Sequence, residues 1–288
     1  MNVLLEILVY GAVQSAVYAM LALGFCLIFG VAGVVNLAHT TFFMIGAYLI
    51  YTLTSLANIP LPLGLVCAIF GTGLLGIAVQ HFAIKPLIKS EYSVMMITIA
   101  LAFFCQELVL SVFGPVDRNV KGFIDEKLTV FGLVDIDAQR ILTLVVAVLL
   151  IVLLWWFINR TKMGNAIMAV AQNREGATFV GINATRIFLV VMFISACLAA
   201  VAGAFIAPTV GARPHMWENP LVRCFAVVVL GGLGSLEGTI LAALIIGYTE
   251  VIVSFTLSSY LSELVILGIF MTVLIVRPSG LLGRRQEA

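Results

Sequence analysis

The sequence predicts an all-α integral membrane protein, a bundle of about eight or nine transmembrane helices with short or broken segments and one short helix on the membrane surface. Three observations carry this. First, 62% of the 288 residues are hydrophobic and only 10% are charged, against about 25% charged in an ordinary soluble domain. Second, the mean hydropathy is +1.19, too apolar for a chain that must cover itself with water-facing groups. Third, the apolar residues fall in continuous runs near the roughly 20 residues that cross a hydrocarbon core as a helix. Backbone groups cannot be left unpaired in lipid, so a span is a helix or part of a closed barrel. Barrel strands would alternate apolar and polar residues over about ten positions, and these runs do not.

The first span runs from about Val3 to Phe29. It is preceded by no Lys or Arg and carries Glu6, which is wrong for a cleaved signal peptide, so it is expected to stay. A Gly-rich break, GVAGVVNLAHTT (30–41), follows. The second span covers about 42–57 and stops at Asn58-Ile-Pro-Leu-Pro62. The third runs from Leu63 to Ile84 and ends at Lys85-Pro86, and the fourth from about Tyr92 to Phe113. A polar loop, 114–139, precedes the fifth span, Arg140 to Ile158. A second polar stretch, 159–186, is partly helical in pattern. The sixth span, Ile187 to Ala207, is closed by Pro208. After the loop 209–222, the run FAVVVL (225–230) is too short to cross as a normal helix. GGLGSLEG (231–238) interrupts it. Two more runs, about 239–255 and 261–276, lead to the tail Arg277-Pro-Ser-Gly-Leu-Leu-Gly-Arg-Arg285.

Lys and Arg in short loops set sidedness. With FAVVVL counted as a short crossing and the tail inside, the inside loops hold Lys85, Lys89, Arg160, Lys162, Arg174, Arg186, Arg277, Arg284 and Arg285. The remaining Lys and Arg lie outside among as many acids. This places the N-terminus and the 114–139 loop outside, with the first Gly-rich break and the 159–186 stretch inside. The whole chain, 1–288, reads as one transmembrane domain.

Composition also excludes functions. A net charge of +1 argues against nucleic acid as a partner. Neither polar stretch is long enough to be an enzyme domain. The Walker A pattern G-x-x-x-x-G-K-[ST] does not occur, so any ATP-driven work needs another chain. Cys26, Cys67, Cys105, Cys197 and Cys224 lie singly in apolar runs, without metal or redox spacing.

Two Gly-rich breaks are the most informative local features. Interrupted helices in transporters free backbone groups to face a solute path, and such backbone must be buried in protein or meet water. The first break carries Asn36, His39, Thr40 and Thr41. The second carries Gly231, Gly232, Gly234, Ser235 and Glu237. Each is equally compatible with a tight turn at the membrane surface. Glu107 and Glu250 lie inside apolar runs, where a carboxylate costs roughly 2.5–3.5 kcal/mol on insertion scales. Each is expected to face the bundle interior or lie near an interface, and the sequence shows no clear partner base. Ser195, Ala199, Gly203 and Ala207 recur at spacing four, which lets helix backbones approach closely. Between Arg160 and Arg186, residues Met163 to Phe179 form an amphipathic, helix-compatible stretch that Gly181 can terminate. Held between two spans, it is either a lever that a partner can grip or a helix lying in the headgroups.

GVVNLAHTTFFMIGAYLIY (33–51) resembles the G-x-x-N-x-A-H segment of branched-chain amino-acid ABC transporter permeases of the LivH type. Residues 160–207, VLGGLGSLEGTILAALIIGYTE (229–250) and RPSGLLG (277–283) match that family's coupling segment and later signatures in order. The resemblance implies a permease subunit of an ABC importer in a bacterial or archaeal cytoplasmic membrane. It implies a second related permease as heterodimer partner, two ATPase subunits that bind the ATP, and a periplasmic or extracellular solute-binding protein. The chain itself would hold no cofactor and catalyse nothing. Position by position, Asn173, Arg174, Glu175, Thr178, Phe179, Gly181, Ile182 and Asn183 become the ATPase-docking segment. Asn36, His39, Thr40, Thr41, Gly231, Gly232, Gly234, Ser235 and Glu250 become the translocation path. Two departures stand out. Thr40 and Thr41 stand where the family often has Gly and then an acid, and Asn165 and Met168 where Arg is frequent. The implied solute is a branched-chain or hydrophobic amino acid by default, or a related small polar solute. The competing readings are a proton-coupled secondary transporter using Glu107 or Glu250, and an assembly subunit with no path.

Overall fold

The computed structural model describes residues 2–88, 90–124, 126–130, 134–277 and 280–282. Lys89, Arg284 and Arg285 of the charge count, and Pro278, Ser279 and Gly283 of the tail signature, lie outside the described residues. Among these residues, seven helices are long and apolar enough to cross a membrane. They are α1 (Asn2–Ala32), α3 (Leu61–Val79), α5 (Glu91–Phe113), α6 (Ala138–Arg160), α9 (Ala184–Val210), α11 (Leu236–Thr256) and α12 (Ser259–Val276). A π turn, Gln80–Ile84, carries α3 on into the short α4 (Lys85–Leu87). The shorter apolar α2 (Thr41–Tyr51, with a π turn to Leu56) and the 14-residue α10 (Glu218–Gly231) complete the expected eight or nine. Between α6 and α9 lie α7 (Lys162–Gln172) and α8 (Arg174–Phe179). The 114–139 loop folds a hairpin of its own, β1 (Lys127–Val130) against β2 (Val134–Asp137), antiparallel with Lys127 opposite Asp137.

The core is built around α1 and α9. Helix α1 is apolar on all sides, as a helix surrounded by others must be. Met20, Leu21 and Ala22 on α1 and Ala196, Ala199 and Ala202 on α9 are fully buried. At 31 residues, α1 is about 46 Å long, well beyond the roughly 30 Å hydrocarbon core. The outer helices present Phe70, Phe104, Trp155, Trp156, Leu264 and Ile275 outward, the pattern of a surface solvated by lipid tails.

Close helix contacts fall where side chains are small, because lipid offers no hydrophobic drive for helices to associate and packing must supply it. Ser195, Ala199, Gly203 and Ala207 all face inward on α9. A Cβ placed on Gly203 would stand 2.0 Å from the Phe43 carbonyl oxygen on α2. Helix α9 does not stop at Pro208 but continues to Val210. A proline removes one backbone donor and disturbs the preceding turn. The carbonyl left without its donor is that of Ala204; in the same turn the Phe205 carbonyl accepts from Gln139 Nε2 at 3.0 Å and Thr143 Oγ1 at 3.3 Å on α6, which braces the helix as it runs on.

The ends of the bundle are defined by contacts between distant segments. At one end, Arg118 bridges Ala212, Tyr51 meets Phe113, and the Arg140 guanidinium stacks on Tyr10. The N-terminal part of α1 and the 114–139 loop therefore share this loop end. At the other end, Gly30 touches Gly234, and the tail returns to pair Leu281 N–H with the Leu230 carbonyl at 2.7 Å. Helix α10 thus runs from the loop end to the tail end in 14 residues, as a short crossing.

The Gly203 contact yields a stability prediction. Gly203→Val should cost about 3 kcal/mol or more by overpacking against backbone, measured as loss of monodisperse protein and of thermal stability in detergent. Gly268→Ala, where an added Cβ meets nothing within 4 Å, should leave both unchanged.

Candidate functional site

The first Gly-rich break is not a turn at the end of the bundle. Gly33 takes a left-handed conformation at φ 67°, α1 ends, and the chain re-enters. The His39 imidazole Nε2 lies 3.0 Å from the Leu21 carbonyl oxygen, eleven residues back from the Ala32 end of α1, a depth of about 16 Å. The break starts at the tail end, where Gly30 meets Gly234, and from there residues 36–41 sit within the bundle. The reason is local hydrogen bonding. Asn36 Oδ1 accepts from Ala38 N–H at 3.1 Å, Leu37 N–H donates to Thr98 Oγ1 at 3.2 Å, and Thr41 Oγ1 donates to the Ala38 carbonyl at 2.6 Å. These bonds replace what a continuous helix would have supplied, as lipid requires.

Around His39 the walls are the Phe25 and Phe42 rings, Gly24 and Ser195. The Ser195 hydroxyl donates to the Gly24 carbonyl, tying α9 to α1 at the same level. Asn36, His39, Thr40 and Thr41 are each at most 1% exposed. His39 Nδ1 and Thr40 Oγ1 are buried without a hydrogen-bond partner. Buried polar atoms are nearly always paired, and an unpaired one costs about 1–3 kcal/mol.

The second Gly-rich element sits at the tail end. Gly232 and Gly234 adopt φ 103° and 84°, and Ser235 caps α11 by accepting from Gly238 N–H at 3.2 Å. It meets the start of the first break through the Gly30–Gly234 contact but does not reach His39. Of the two readings open for these breaks, the first is a buried interruption and the second a tight turn between α10 and α11.

The 159–186 stretch forms two helices rather than one. The Asn173 side chain caps α8 by accepting from Gly176 N–H at 2.8 Å, which breaks the pattern expected to run unbroken from Met163 to Phe179. Gly181 at φ 88° and Asn183, which caps α9 through Arg186 N–H, complete the turn. Asn173, Arg174, Glu175, Thr178, Phe179, Gly181 and Asn183 are exposed, Ile182 is half-buried, and Ala177 anchors the segment in the core. Phe179 is 89% exposed and Val180 77%.

Glu107 and Glu250 differ. Glu107 is exposed on α5, with Gln106 Nε2 at 3.5 Å, so it faces away from the bundle. Glu250 is largely buried and does have a partner, which reading along the chain missed. Arg223 NH2 is 2.8 Å from Glu250 Oε1, and the Tyr18 hydroxyl donates to Oε2 at 2.6 Å. Glu263 stands 3.7 Å from the same guanidinium. Arg223 borders FAVVVL in sequence and reads as the end of a loop. It lies instead within α10, where a cation needs a carboxylate.

Fold and site together describe a multi-pass helical membrane protein with a re-entrant segment at its centre. Its fold is similar to that of a chain in the structure "PsaBC from Streptococcus pneumoniae in complex with Fab", with a TM-score of 0.55 over 95% of this chain and 92% of that one at 14% identity. The family model described as branched-chain amino acid transport system / permease component matches residues 7–274, and the chain belongs to that family. It is 28% identical to the high-affinity branched-chain amino acid transport system permease protein BraD of Pseudomonas aeruginosa, over 98% of this chain and 96% of that one. It is also 28% identical to LivH of Escherichia coli, over 96% and 94%. To LivM of Salmonella typhimurium, another permease protein of that kind, it is 30% identical over 94% of this chain and 69% of that one. The resemblance read from the four sequence blocks is borne out.

The Arg223–Glu250 pair predicts a thermodynamic cycle. Arg223→Met should destabilise by about 3–5 kcal/mol, because Glu250 is left charged and mostly buried. Adding Glu250→Leu should recover most of the loss. Melting temperatures of the single and double variants in detergent check this.

Proposed function

We propose that this chain is a permease subunit of an ATP-driven importer for amino acids with apolar side chains, working in a bacterial or archaeal cytoplasmic membrane. It pairs with a second related permease and two ATPase subunits, and it receives solute from a separate binding protein. Family membership supports the reading. The observation that carries it is the α7–α8 pair, which joins α6 to α9 at the tail end and leaves Phe179 and Val180 bare beside Arg174 and Glu175. An isolated surface helix would bury such an aromatic. A partner's groove accounts for it, and a docked ATPase that moves the pair would tilt both spans as rigid elements.

The re-entrant segment is the proposed gate. With His39 Nδ1 and Thr40 Oγ1 closed off from any partner, the path is shut at mid-depth. A conformer that admits water or solute there supplies the missing hydrogen bonds. Alternation between two such states needs differential binding of nucleotide to each, which the ATPases provide. The secondary-transporter reading finds less support, since Glu107 faces outward and Glu250 is engaged by Arg223 and Tyr18.

Two measurements test the proposal. Glu175→Arg should abolish co-purification of the ATPase subunits while the permease stays monodisperse and melts unchanged. Gly181→Arg should do the same at a backbone cost of about 1–2 kcal/mol, from its left-handed conformation. Retention of the ATPases by both variants would sink the docking assignment. His39→Ala should reduce ATP-driven uptake by the assembled complex far more than it reduces the amount of protein in the membrane. Unchanged uptake removes His39 from the path.

A further inference from the structure

At the loop end, α1, α6, α9 and α11 diverge around a cavity of about 480 Å³, a size typical of small-molecule sites. Three charged residues line it: Glu6, Arg140 and Glu250. They are joined by Tyr10, Val13 and Phe255, so the wall carries both signs of charge beside an apolar and aromatic surface. Resting on the permease reading, we propose that this cavity is a subsite for the zwitterion of an α-amino acid with an apolar side chain, entered from the loop end. Arg140 receives the carboxylate, Glu6 and Glu250 receive the ammonium, and Tyr10, Val13 and Phe255 receive the side chain.

Arg140 is prepared for a carboxylate. Its guanidinium carbon lies over the Tyr10 ring, 4.6 Å from the centroid. Its Nε is buried without a hydrogen-bond partner: Asp137 Oδ2 forms an ion pair with it at 3.6 Å, too long for a hydrogen bond, and both side chains are partly exposed. A planar guanidinium with unused donors matches a carboxylate in geometry and charge. On the opposite sign, Glu6 forms no ion pair among the described residues. Glu250 holds one donor on each oxygen, from Arg223 and Tyr18. A carboxylate offers about four acceptor positions, so an ammonium can still be bound. With Arg140 on one side and Glu6, unpaired among the described residues, on the other, the lining offers each charge of a zwitterion a partner of opposite sign. The cavity is distinct from the re-entrant segment. Leu21, which holds His39, lies eight residues beyond Val13 along α1, about 12 Å deeper.

The test uses the full chain in lipid nanodiscs, assembled with its partner permease and ATPases. Binding of radiolabelled L-leucine is measured in competition with leucinamide, which lacks the carboxylate, and 4-methylpentanoate, which lacks the ammonium. Neither analogue should displace leucine at concentrations where unlabelled leucine does. Arg140→Gln should weaken leucine binding at least about tenfold and abolish discrimination against leucinamide. Glu6→Gln should do the corresponding thing for 4-methylpentanoate, with unliganded melting unchanged in both. Should Arg140→Gln fail to fold, Ser254→Trp, which fills the cavity from α11, should also weaken binding about tenfold. Leucine binding that is absent, or unchanged in folded variants, overturns the subsite. ATP-driven leucine uptake by the same complex, reconstituted into proteoliposomes with the solute-binding protein supplied, is recorded in parallel. Uptake that persists without any effect of the variants overturns the subsite and leaves the importer reading intact. Variant-sensitive binding without uptake supports the subsite and counts against the importer.

Discussion

A broken helix cannot be left facing lipid, and this requirement organises the molecule. Between Gly33 and Thr41 the chain has no continuous helix to pair its own amides, yet it lies at mid-depth beside Leu21 and Gly24. Every open backbone group there must find a protein partner. That need explains why α1 and α9 are the buried pair and why Thr98 and Ser195 point polar groups into an otherwise apolar centre. It also explains why small residues stand where α2 crosses α9. A larger side chain at Gly203 would push α2 away and open the segment to lipid.

Much of this was legible in the sequence because the bilayer imposes strong periodic constraints. Run length and hydropathy located the spans, and the short break between Phe29 and Phe42 marked the interruption. What was not legible concerned depth and pairing across the bundle. Nothing in GVVNLAHTT says that the chain re-enters by about 16 Å rather than turning at the surface. That outcome depends on acceptors such as Thr98 and Leu21, far away in sequence. Arg223 was misplaced for the same reason. Its meaning comes from Glu250 and Tyr18, which lie on other helices. Pro208 illustrates the converse: the local rule ends a helix there, and the helix runs on, braced by a tertiary contact from Gln139 and Thr143 to the Phe205 carbonyl.

The buried charges of the bundle follow one logic. In lipid an unpaired charge is costly, and the buried Arg223 and Glu250 meet that cost by engaging each other. Arg223 and Glu250 lock α10 to α11, with Tyr18 on α1 as the third member. A buried ion pair is a weak source of net stability against an apolar alternative. Its presence here is better explained by register, since it ties the short α10 to one position along α11 and α1. The 14-residue α10 is too short to be held by packing length alone.

The proposed lever and the proposed subsite are joined by the same two helices. Helix α6 carries Arg140 and Thr143 at one end and meets α7 at the other. Helix α9 begins just after Asn183 and ends at Val210, beside the cavity. Over the 23 residues of α6, about 34 Å, a tilt of about 10° displaces the far end by about 6 Å. A displacement of that size exceeds the reach of any hydrogen bond. Force applied at α7–α8 would therefore reset the distance from Arg140, on α6, to Glu6 and Glu250, on α1 and α11. A solute held by both charges is released when they part, so motion at the tail end can be expressed as affinity at the loop end. The coupling needs no chain of individual contacts, only two stiff helices, a core that packs in two discrete ways, and charges of opposite sign on either side of the moving boundary.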